Sequence, residues 1–206
     1  MVDQTEFNVW NNWDPLKTIM LATLPGPEYF ANIRLFRNQK PLVDMLQETT
    51  DDLNHLHNTL EEYGVNVTCL RTGIVLDPTG GALRRMLLPA KFGLGGNLGS
   101  GNQWWSWVHI MDLMQFIVYI LQNNLSGIYN VTSPVPIQQK KFARILGKTL
   151  KRPAFFWIPE IVIRLIFGEF SQELLGSRRI IPTNTLSSGY VFSFSDLNTA
   201  LRELLV

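Results

Sequence analysis

Residues 103–113 bring together side chains that could bind a polar ligand. The segment reads Gln-Trp-Trp-Ser-Trp-Val-His-Ile-Met-Asp-Leu and follows a glycine-rich loop, Gly93–Gly101. A hydroxyl, an imidazole and an amide can bind hydroxyls or phosphates, and large aromatic rings line ligand pockets. We therefore predict that this stretch forms one wall of a ligand pocket.

The same stretch predicts a strand that turns into a helix. Trp104, Trp105 and Trp107 alternate, so one face of the strand is expected to be buried and the other to line a cleft. Asp112 is expected to be the N-cap of the following helix, 112–123, because it precedes an apolar run. That helix is apolar on nearly all sides, which predicts burial between two layers.

The elements around this stretch predict an α/β protein. Residues 67–76 read as one continuous strand, and residues 82–92 read as a helix broken at Pro89. Further downstream, the pattern predicts a strand at 127–131, helices from Pro136 to about Leu150 and at 159–167, a mixed segment at 169–189, and a last helix at 197–205 capped by Ser195 or Asp196.

The beginning of the chain predicts a strand–helix–strand unit. A strand at 17–24 ends at Pro25-Gly26-Pro27, and a long helix with Pro41 in its first turn ends at Gly64. Residues 65–70 then form the second strand. His55 and His57 are two positions apart on this helix, so they face different directions and no metal site is expected there.

Composition limits the function classes. The chain has 206 residues with a formal net charge of +1, so neither nucleic acid nor a membrane is an expected partner. Cys69 is the single cysteine, which excludes an intrachain disulfide and predicts a reducing cytoplasm as the location. The acidic, polar opening residues do not resemble a signal peptide.

Residues 7–68 resemble the start of the amidinotransferases of the pentein fold. The resemblance depends on Trp10-Asn11-Asn12-Trp13-Asp14-Pro15-Leu16-Lys17, residues 48–53 and residues 60–67. That family acts through a nucleophilic cysteine near its C-terminus and through later repeats. Cys69 does not match that position, and its apolar neighbours would raise its pKa. The chemistry of that family is therefore not expected here.

Residues 71–206 resemble the C-terminal half of extended short-chain dehydrogenases/reductases of the sugar-nucleotide epimerase type. The matching segments are residues 71–76, 80–83, 93–96, 98–101, 103–104, 106–110, 127–134 and 152–154, with the closing Ala200-Leu201. The resemblance implies that the substrate-binding residues are Arg71, Gln103, Trp104, Ser106 and His109. His109 either bonds a substrate hydroxyl or phosphate or is a core histidine. Arg71 either contacts a ligand anion or pairs with an acid.

The nucleotide chemistry of that family needs a glycine-rich turn from strand to helix and a Tyr-x-x-x-Lys pair. Gly93, Gly96 and Gly99 have a Gly-x-x-Gly-x-x-Gly spacing, but this loop is predicted to follow a helix and lead to a strand. No tyrosine is followed by lysine four positions later. We therefore expect no catalytic residue and no cofactor bound by this chain alone, although the resembled family uses NAD or NADP.

The combined prediction is an α/β fold: a truncated Rossmann-like sheet, made of a βαβ start and the substrate-side half of an extended short-chain dehydrogenase, with a helical C-terminal cap. The predicted domains are an amidinotransferase-like segment, 1–70, and an epimerase-like half, 71–206. The expected function is binding of a small-molecule ligand without autonomous catalysis. The alternatives are a half-enzyme completed by a second protein chain and a non-enzymatic interaction protein, either of which could form a homo-oligomer.

Overall fold

The computed structural model describes residues 18–22, 40–168 and 171–206. The chain divides into two units, Met1–Thr68 and Cys69–Val206. The Trp10–Lys17 motif and the predicted stop at Pro25–Pro27 lie outside the described residues.

The first unit contains the predicted strand–helix order. Strand β1 is Thr18–Ala22, helix α1 is Lys40–Glu62, and strand β2, Asn66–Thr72, begins in this unit. Strand β1 is the hydrogen-bonded neighbour of β2. Gly64 has a φ of 73°, a conformation that glycine adopts without a steric penalty, so the helix ends where the sequence predicts.

The second unit contains short strands and most of the helices. After β2 come β3 (Ile74–Leu76), α2 (Gly81–Lys91), β4 (Gly96–Leu98), β5 (Trp104–Trp105), β6 (Trp107–His109), α3 (Ile110–Asn123), β7 (Gly127–Val131), β8 (Ile137–Gln138), α4 (Gln139–Thr149), β9 (Phe156–Ile158), α5 (Glu160–Phe167), α6 (Ser171–Leu175), α7 (Thr183–Ser187) and α8 (Leu197–Leu205). Strands β3 and β6 pair in parallel, as do β4 and β9, whereas β5 and β8 are antiparallel. Parallel pairing of strands separated by helices confirms the α/β class.

The prediction of one continuous strand over residues 67–76 is wrong. Strand β2 ends at Thr72 and β3 begins at Ile74, with Gly73 between them. A Cβ atom on Gly73 would lie 2.4 Å from the carbonyl oxygen of Ser106, so the main chains pass too closely for any other residue. The glycine therefore allows β3 to pair with β6.

Two helix predictions also need correction. Helix α2 continues through Pro89 to Lys91 instead of breaking there, so the proline lies in the last turn. Helix α3 is not buried on all sides, because Met111, Met114 and Val118 are exposed while Phe116 and Ile120 are buried. The apolar composition of α3 did not distinguish these two faces.

The core of the second unit consists of two clusters on opposite faces of β6. Trp107 belongs to a cluster with Trp105, Leu83, Phe142 and Leu201, among others. Val108 belongs to the other cluster, which includes Phe116, Ile120, Val131, Tyr190 and Phe192. Because successive side chains of a strand point to opposite faces, β6 separates the two clusters. Among the described residues, no helix is both long and apolar enough to span a bilayer.

Candidate functional site

Gln103 connects strand β4 to helix α6. Its side chain is buried, and its Nε2 donates hydrogen bonds to the carbonyl oxygens of Leu98 at 2.9 Å and of Leu174 at 3.2 Å. The Oε1 atom accepts a longer bond from Ser100 Oγ at 3.4 Å. The amide of Gln103 therefore holds three segments of the fold together.

Ser106 and Trp104 fix the segment that follows α6. Ser106 Oγ donates to the carbonyl oxygen of Arg178 at 2.9 Å and accepts from the main-chain N–H of Ile180 at 2.8 Å. Trp104 is half-buried, and the Arg179 guanidinium lies 4.9 Å from the centroid of its ring. A cation over an indole face is an attractive contact. Trp104 is thus the more accessible of these two predicted site residues.

His109 is fully buried and begins helix α3. Its Nδ1 accepts a hydrogen bond from the main-chain N–H of Met111 at 3.1 Å, so its ring, rather than the predicted Asp112 carboxylate, is the N-cap. The Nε2 atom lies 2.8 Å from Glu203 Oε2, and the ring stacks on Phe194 with centroids 3.9 Å apart. Because Nδ1 accepts, Nε2 carries the hydrogen and donates it to Glu203. Both ring nitrogens therefore have partners within the fold.

Asp112 has a different role from the predicted one. It lies in the first turn of α3, is fully buried, and accepts hydrogen bonds from the main-chain N–H groups of Ser193 at 2.8 Å and Phe194 at 3.0 Å. The sequence pattern placed an acid near a helix start, where its charge is favourable, but did not reveal these distant partners.

Tyr190 is a buried phenol in the same region. Its hydroxyl donates to the carbonyl oxygen of Asp112 at 2.9 Å. Burial, and then the negative charge of Asp112, raise the pKa of Tyr190 well above its usual range. A reductase needs a phenol whose pKa is lowered, so Tyr190 does not suit that role.

The five predicted site residues do not form a single exposed constellation. Gln103, Ser106 and His109 are buried with their polar atoms bonded inside the fold, whereas Arg71 is exposed at the end of β2. Their assignment as substrate-binding residues stays a prediction.

A concavity lies between helices α2 and α4. Its volume is about 1260 Å³. Apolar side chains line much of it, including Leu87, Phe142 and Leu146. Three cationic residues also line it, namely Arg84, Arg85 and Lys91. A cleft with apolar walls and a few charged groups suits a ligand that carries both a ring and an anion.

Gln103, from the stretch predicted to bind ligand, helps to hold strand β4 in place, and β4 forms part of the wall of this cleft. Gln103 bonds the carbonyl oxygen of Leu98, and Gln139 bonds Gly96 and Leu98 through both ends of its amide, at 3.1 Å and 3.0 Å. Leu98 and Gln139 line the cleft. Gln103 therefore acts on this wall by positioning β4.

The cationic residues of the cleft were missed by sequence reasoning, although the sequence contains a signal. Between Pro78 and Pro159 there is one acidic residue, the buried Asp112. The same segment has nine basic residues: Arg84, Arg85, Lys91, Lys140, Lys141, Arg144, Lys148, Lys151 and Arg152. The net charge of the whole chain conceals this concentration.

The glycine-rich loop does not provide a pyrophosphate cradle. It follows α2 and leads into β4, which is the helix-to-strand order that the sequence predicts and the reverse of a dinucleotide turn. A Cβ on Gly96 would lie 1.8 Å from the carbonyl oxygen of Phe156, and a Cβ on Gly99 would lie 2.9 Å from Glu160 Cγ. These glycines allow close packing against β9 and α5, so this loop does not fit the dinucleotide of the resembled family.

Two family models match the chain. Residues 54–132 match the NAD dependent epimerase/dehydratase family. Residues 158–204 match a domain of unknown function, DUF1731. The first match begins within α1, ahead of Arg71.

Curated relatives show the same similarity. An epimerase family protein of Staphylococcus aureus is 36% identical over 163 residues, which are 79% of this chain and 54% of that protein. One of Staphylococcus epidermidis is 33% identical over 180 residues, which are 87% of this chain and 60% of that protein. The chain therefore spans little more than half the length of these relatives, and the similarity extends to residues before Arg71.

Solved structures share the fold. A human epimerase family protein, crystallised with NADPH, is 31% identical with a TM-score of 0.67, covering 93% of this chain and 61% of that one. A nucleoside-diphosphate sugar epimerase of Corynebacterium glutamicum is 24% identical with a TM-score of 0.62, covering 91% and 37%. These matches support the epimerase part of the resemblance and a Rossmann-like fold of the short-chain dehydrogenase type.

Proposed function

We propose that this chain is the substrate-side portion of an epimerase-like protein and binds a sugar-nucleotide-type ligand without converting it alone. The observation that most directly supports this function is the cleft between α2 and α4, where three cationic residues line an otherwise largely apolar space. A sugar nucleotide has a flat base that packs on apolar walls and a diphosphate that pairs with arginine or lysine.

The names of the structural neighbours fit this ligand class. They include UDP-N-acetylglucosamine 4-epimerase of Bacillus cereus and UDP-glucose 4-epimerase of Thermus thermophilus, the latter in complex with NAD. Their identities to this chain are 16% and 15%, so they support the fold, and the ligand class is our inference from the cleft.

We assign different roles to the five predicted residues. Arg71 and Trp104 have accessible surface but do not line the cleft, so they are proposed to contact ligand outside it. Gln103, Ser106 and His109 are proposed to be positioning residues, because their polar atoms bond neighbouring segments. This assignment agrees with the core interpretation of His109.

The proposed lack of turnover follows from the chain's own residues. No tyrosine of the sequence has a lysine four positions later, and burial raises the pKa of Tyr190. The Gly93–Gly99 loop does not fit a pyrophosphate. A second chain that supplies a nucleotide-binding loop would make this protein half of an enzyme, and we keep that as the alternative function.

The origin of residues 1–70 is part of the same proposal. We propose that an amidinotransferase-like βαβ segment stands in for the last helix and strand of a nucleotide-binding half, giving a truncated sheet under a helical cap. Support comes from strand β2, which is separated from α1 by three residues and runs through residue 70 into Arg71 without interruption.

Calorimetric titration with uridine diphosphate tests the function. We expect saturable binding to the purified chain, weakened about tenfold or more in Arg84→Gln/Arg85→Gln because a charge-assisted contact is lost. Arg202→Gln, on helix α8, is the matched control and should bind like the wild type. Absence of binding, or equal loss in the control, would contradict the proposal.

A further inference from the structure

We propose that the surface formed by residues 91–94 and 151–157 binds the face of an anionic lipid bilayer. We call it the aromatic-basic edge. It is a peripheral contact that adjoins the proposed ligand cleft, because Lys91, Phe92 and Leu94 also line that cleft.

The two segments of this edge lie side by side. Strand β4 pairs in parallel with β9, with Gly96 opposite Phe156, and the N–H of Phe156 donates to the carbonyl oxygen of Gly95 at 3.3 Å. A Cβ on Gly93 would lie 3.3 Å from Pro153 Cγ. Phe92 and Leu94 are therefore brought close to the segment that contains Phe155.

Large apolar side chains are exposed along this edge. Phe92 and Phe155 are each 76% exposed, Trp157 is 66% exposed and Leu94 is 53% exposed. Phe155 stacks on Phe156 with ring centroids 4.9 Å apart, and Trp157 Nε1 donates to the carbonyl oxygen of Gly99 at 2.8 Å. Exposed aromatic rings rarely cluster on the surface of a soluble monomeric protein, and patches of this kind mark interaction sites.

The charges of this edge favour an anionic partner. Lys91, Lys151 and Arg152 are exposed within it, and Lys148 is exposed just before it. Residues 91–94 and 151–157 contain no acidic residue, and the next acid along the chain, Glu160, lies 4.0 Å from Arg164. A second copy of the same edge would bring like charges together, whereas anionic headgroups are complementary.

The aliphatic and aromatic side chains favour a bilayer over a nucleic acid. Leu94 lies beside the rings, and Ile161 and Leu165 follow on the exposed side of α5. Nucleic acids use stacking rings and cations but gain little from aliphatic groups. Phenylalanine, tryptophan and leucine beside lysine and arginine are the combination that enters the interfacial region of anionic membranes.

A bilayer contact departs from the expectation that the net charge excludes a membrane. The charge of +1 is a sum over the whole sequence, whereas the stretch from Pro78 to Pro159 has nine basic residues and one acidic residue. A peripheral contact also needs no membrane-spanning helix, so it agrees with the absence of one among the described residues.

Vesicle co-sedimentation of the full chain tests the proposal. We expect binding to vesicles of phosphatidylcholine with phosphatidylserine, little binding to phosphatidylcholine alone, and weaker binding as ionic strength rises. Lys91→Gln/Arg152→Gln should weaken binding about 25-fold, since each cation near an anionic surface contributes about fivefold. Phe92→Ser/Phe155→Ser should weaken binding on the same vesicles by about tenfold or more.

Matched controls change equally exposed residues elsewhere. Val191→Ser, at a position 81% exposed, controls for the loss of an apolar side chain, and Arg202→Gln controls for the loss of a cation. Both should bind vesicles like the wild type, and circular dichroism should show that all variants are folded.

Four results would each overturn the proposal. They are no binding to anionic vesicles, equal weakening in the controls, preferred binding to a single-stranded RNA, and a wild-type dimer that is lost in Phe92→Ser/Phe155→Ser. Because Lys91 and Phe92 also line the cleft, Arg84→Gln/Arg85→Gln separates the two proposals: it should weaken uridine diphosphate binding and leave vesicle binding close to that of the wild type.

Discussion

At the residue scale, polar side chains of the predicted site hold the fold together. His109 caps α3, bonds Glu203 and stacks on Phe194, and Ser106 bonds both sides of the 178–180 segment. Sequence reasoning identified these residues as unusual but left the role of His109 open. Apart from the Met111 N–H, which is two positions from His109, their partners lie more than seventy positions away, and no local pattern reports such contacts.

Replacing His109 with alanine is expected to lower the free energy of unfolding by about 2–3 kcal/mol, because a helix cap and a buried hydrogen-bonded ring are both lost. Urea unfolding measures the change. His55→Ala is the control, since His55 is exposed on α1, and it should alter stability little. If the two variants were equally stable, the structural role assigned to His109 would be wrong.

Asp112→Ala is expected to destabilise the chain by about 2–4 kcal/mol, because the N–H groups of Ser193 and Phe194 would lose their acceptors. Asp112→Asn should be intermediate, since its amide keeps one acceptor oxygen. Thermal unfolding compares both with Asp77→Ala, whose carboxylate bonds only the neighbouring Thr79 among the contacts described. A near-neutral Asp112→Ala would contradict the assigned contacts.

Asp196 predicts a pH dependence. The main-chain N–H of Thr199 donates to its carboxylate, and this bond holds the pKa of Asp196 below its usual range. A lowered folded-state pKa means that the stabilisation is present above the unfolded-state pKa and is lost as pH falls through the folded-state pKa. Asp196 is the N-cap of α8, so Asp196→Ala should cost about 1 kcal/mol at neutral pH through loss of the cap. The difference from wild type should shrink in acid, as measured by urea unfolding across a pH series.

At the element scale, close main-chain contacts decide where strands end. Sequence periodicity predicts the longer helices of the second unit and strand β7, because apolar residues recur with the period of each element, but it does not predict the short strands β4, β8 and β9. It fails at Gly73, where the carbonyl of Ser106 approaches, and at the boundary between β6 and α3, where a histidine replaces the expected aspartate as cap. These boundaries depend on neighbours that are distant in the sequence.

Gly96→Ala tests the close approach of β4 and β9. Its Cβ would overlap the carbonyl of Phe156, so we expect β4 and β9 to separate and the melting temperature to fall by several degrees or more. Gly80→Ala is the matched control, because a Cβ there would meet only Asp77 Oδ2 at 3.8 Å. Differential scanning calorimetry compares the two. Equal melting temperatures would be inconsistent with the tight β4–β9 contact.

At the scale of the whole molecule, charge distribution carries more information than net charge. The sequence predicted the epimerase-like resemblance of the second segment, and the family and structural matches confirm that part. It did not predict the cleft between α2 and α4, because a cleft forms where elements distant in sequence meet. The amidinotransferase-like start, the truncation and the absence of turnover stay predictions.

The most direct test of the central claim is a single incubation of purified chain with a UDP-sugar and NADPH, monitored for ligand binding and for product by chromatography. We predict saturable binding of the UDP-sugar, weakened in Arg84→Gln/Arg85→Gln, with no epimerised or reduced product formed. Product formed by the wild-type chain alone, or no binding of the UDP-sugar at all, would contradict the account.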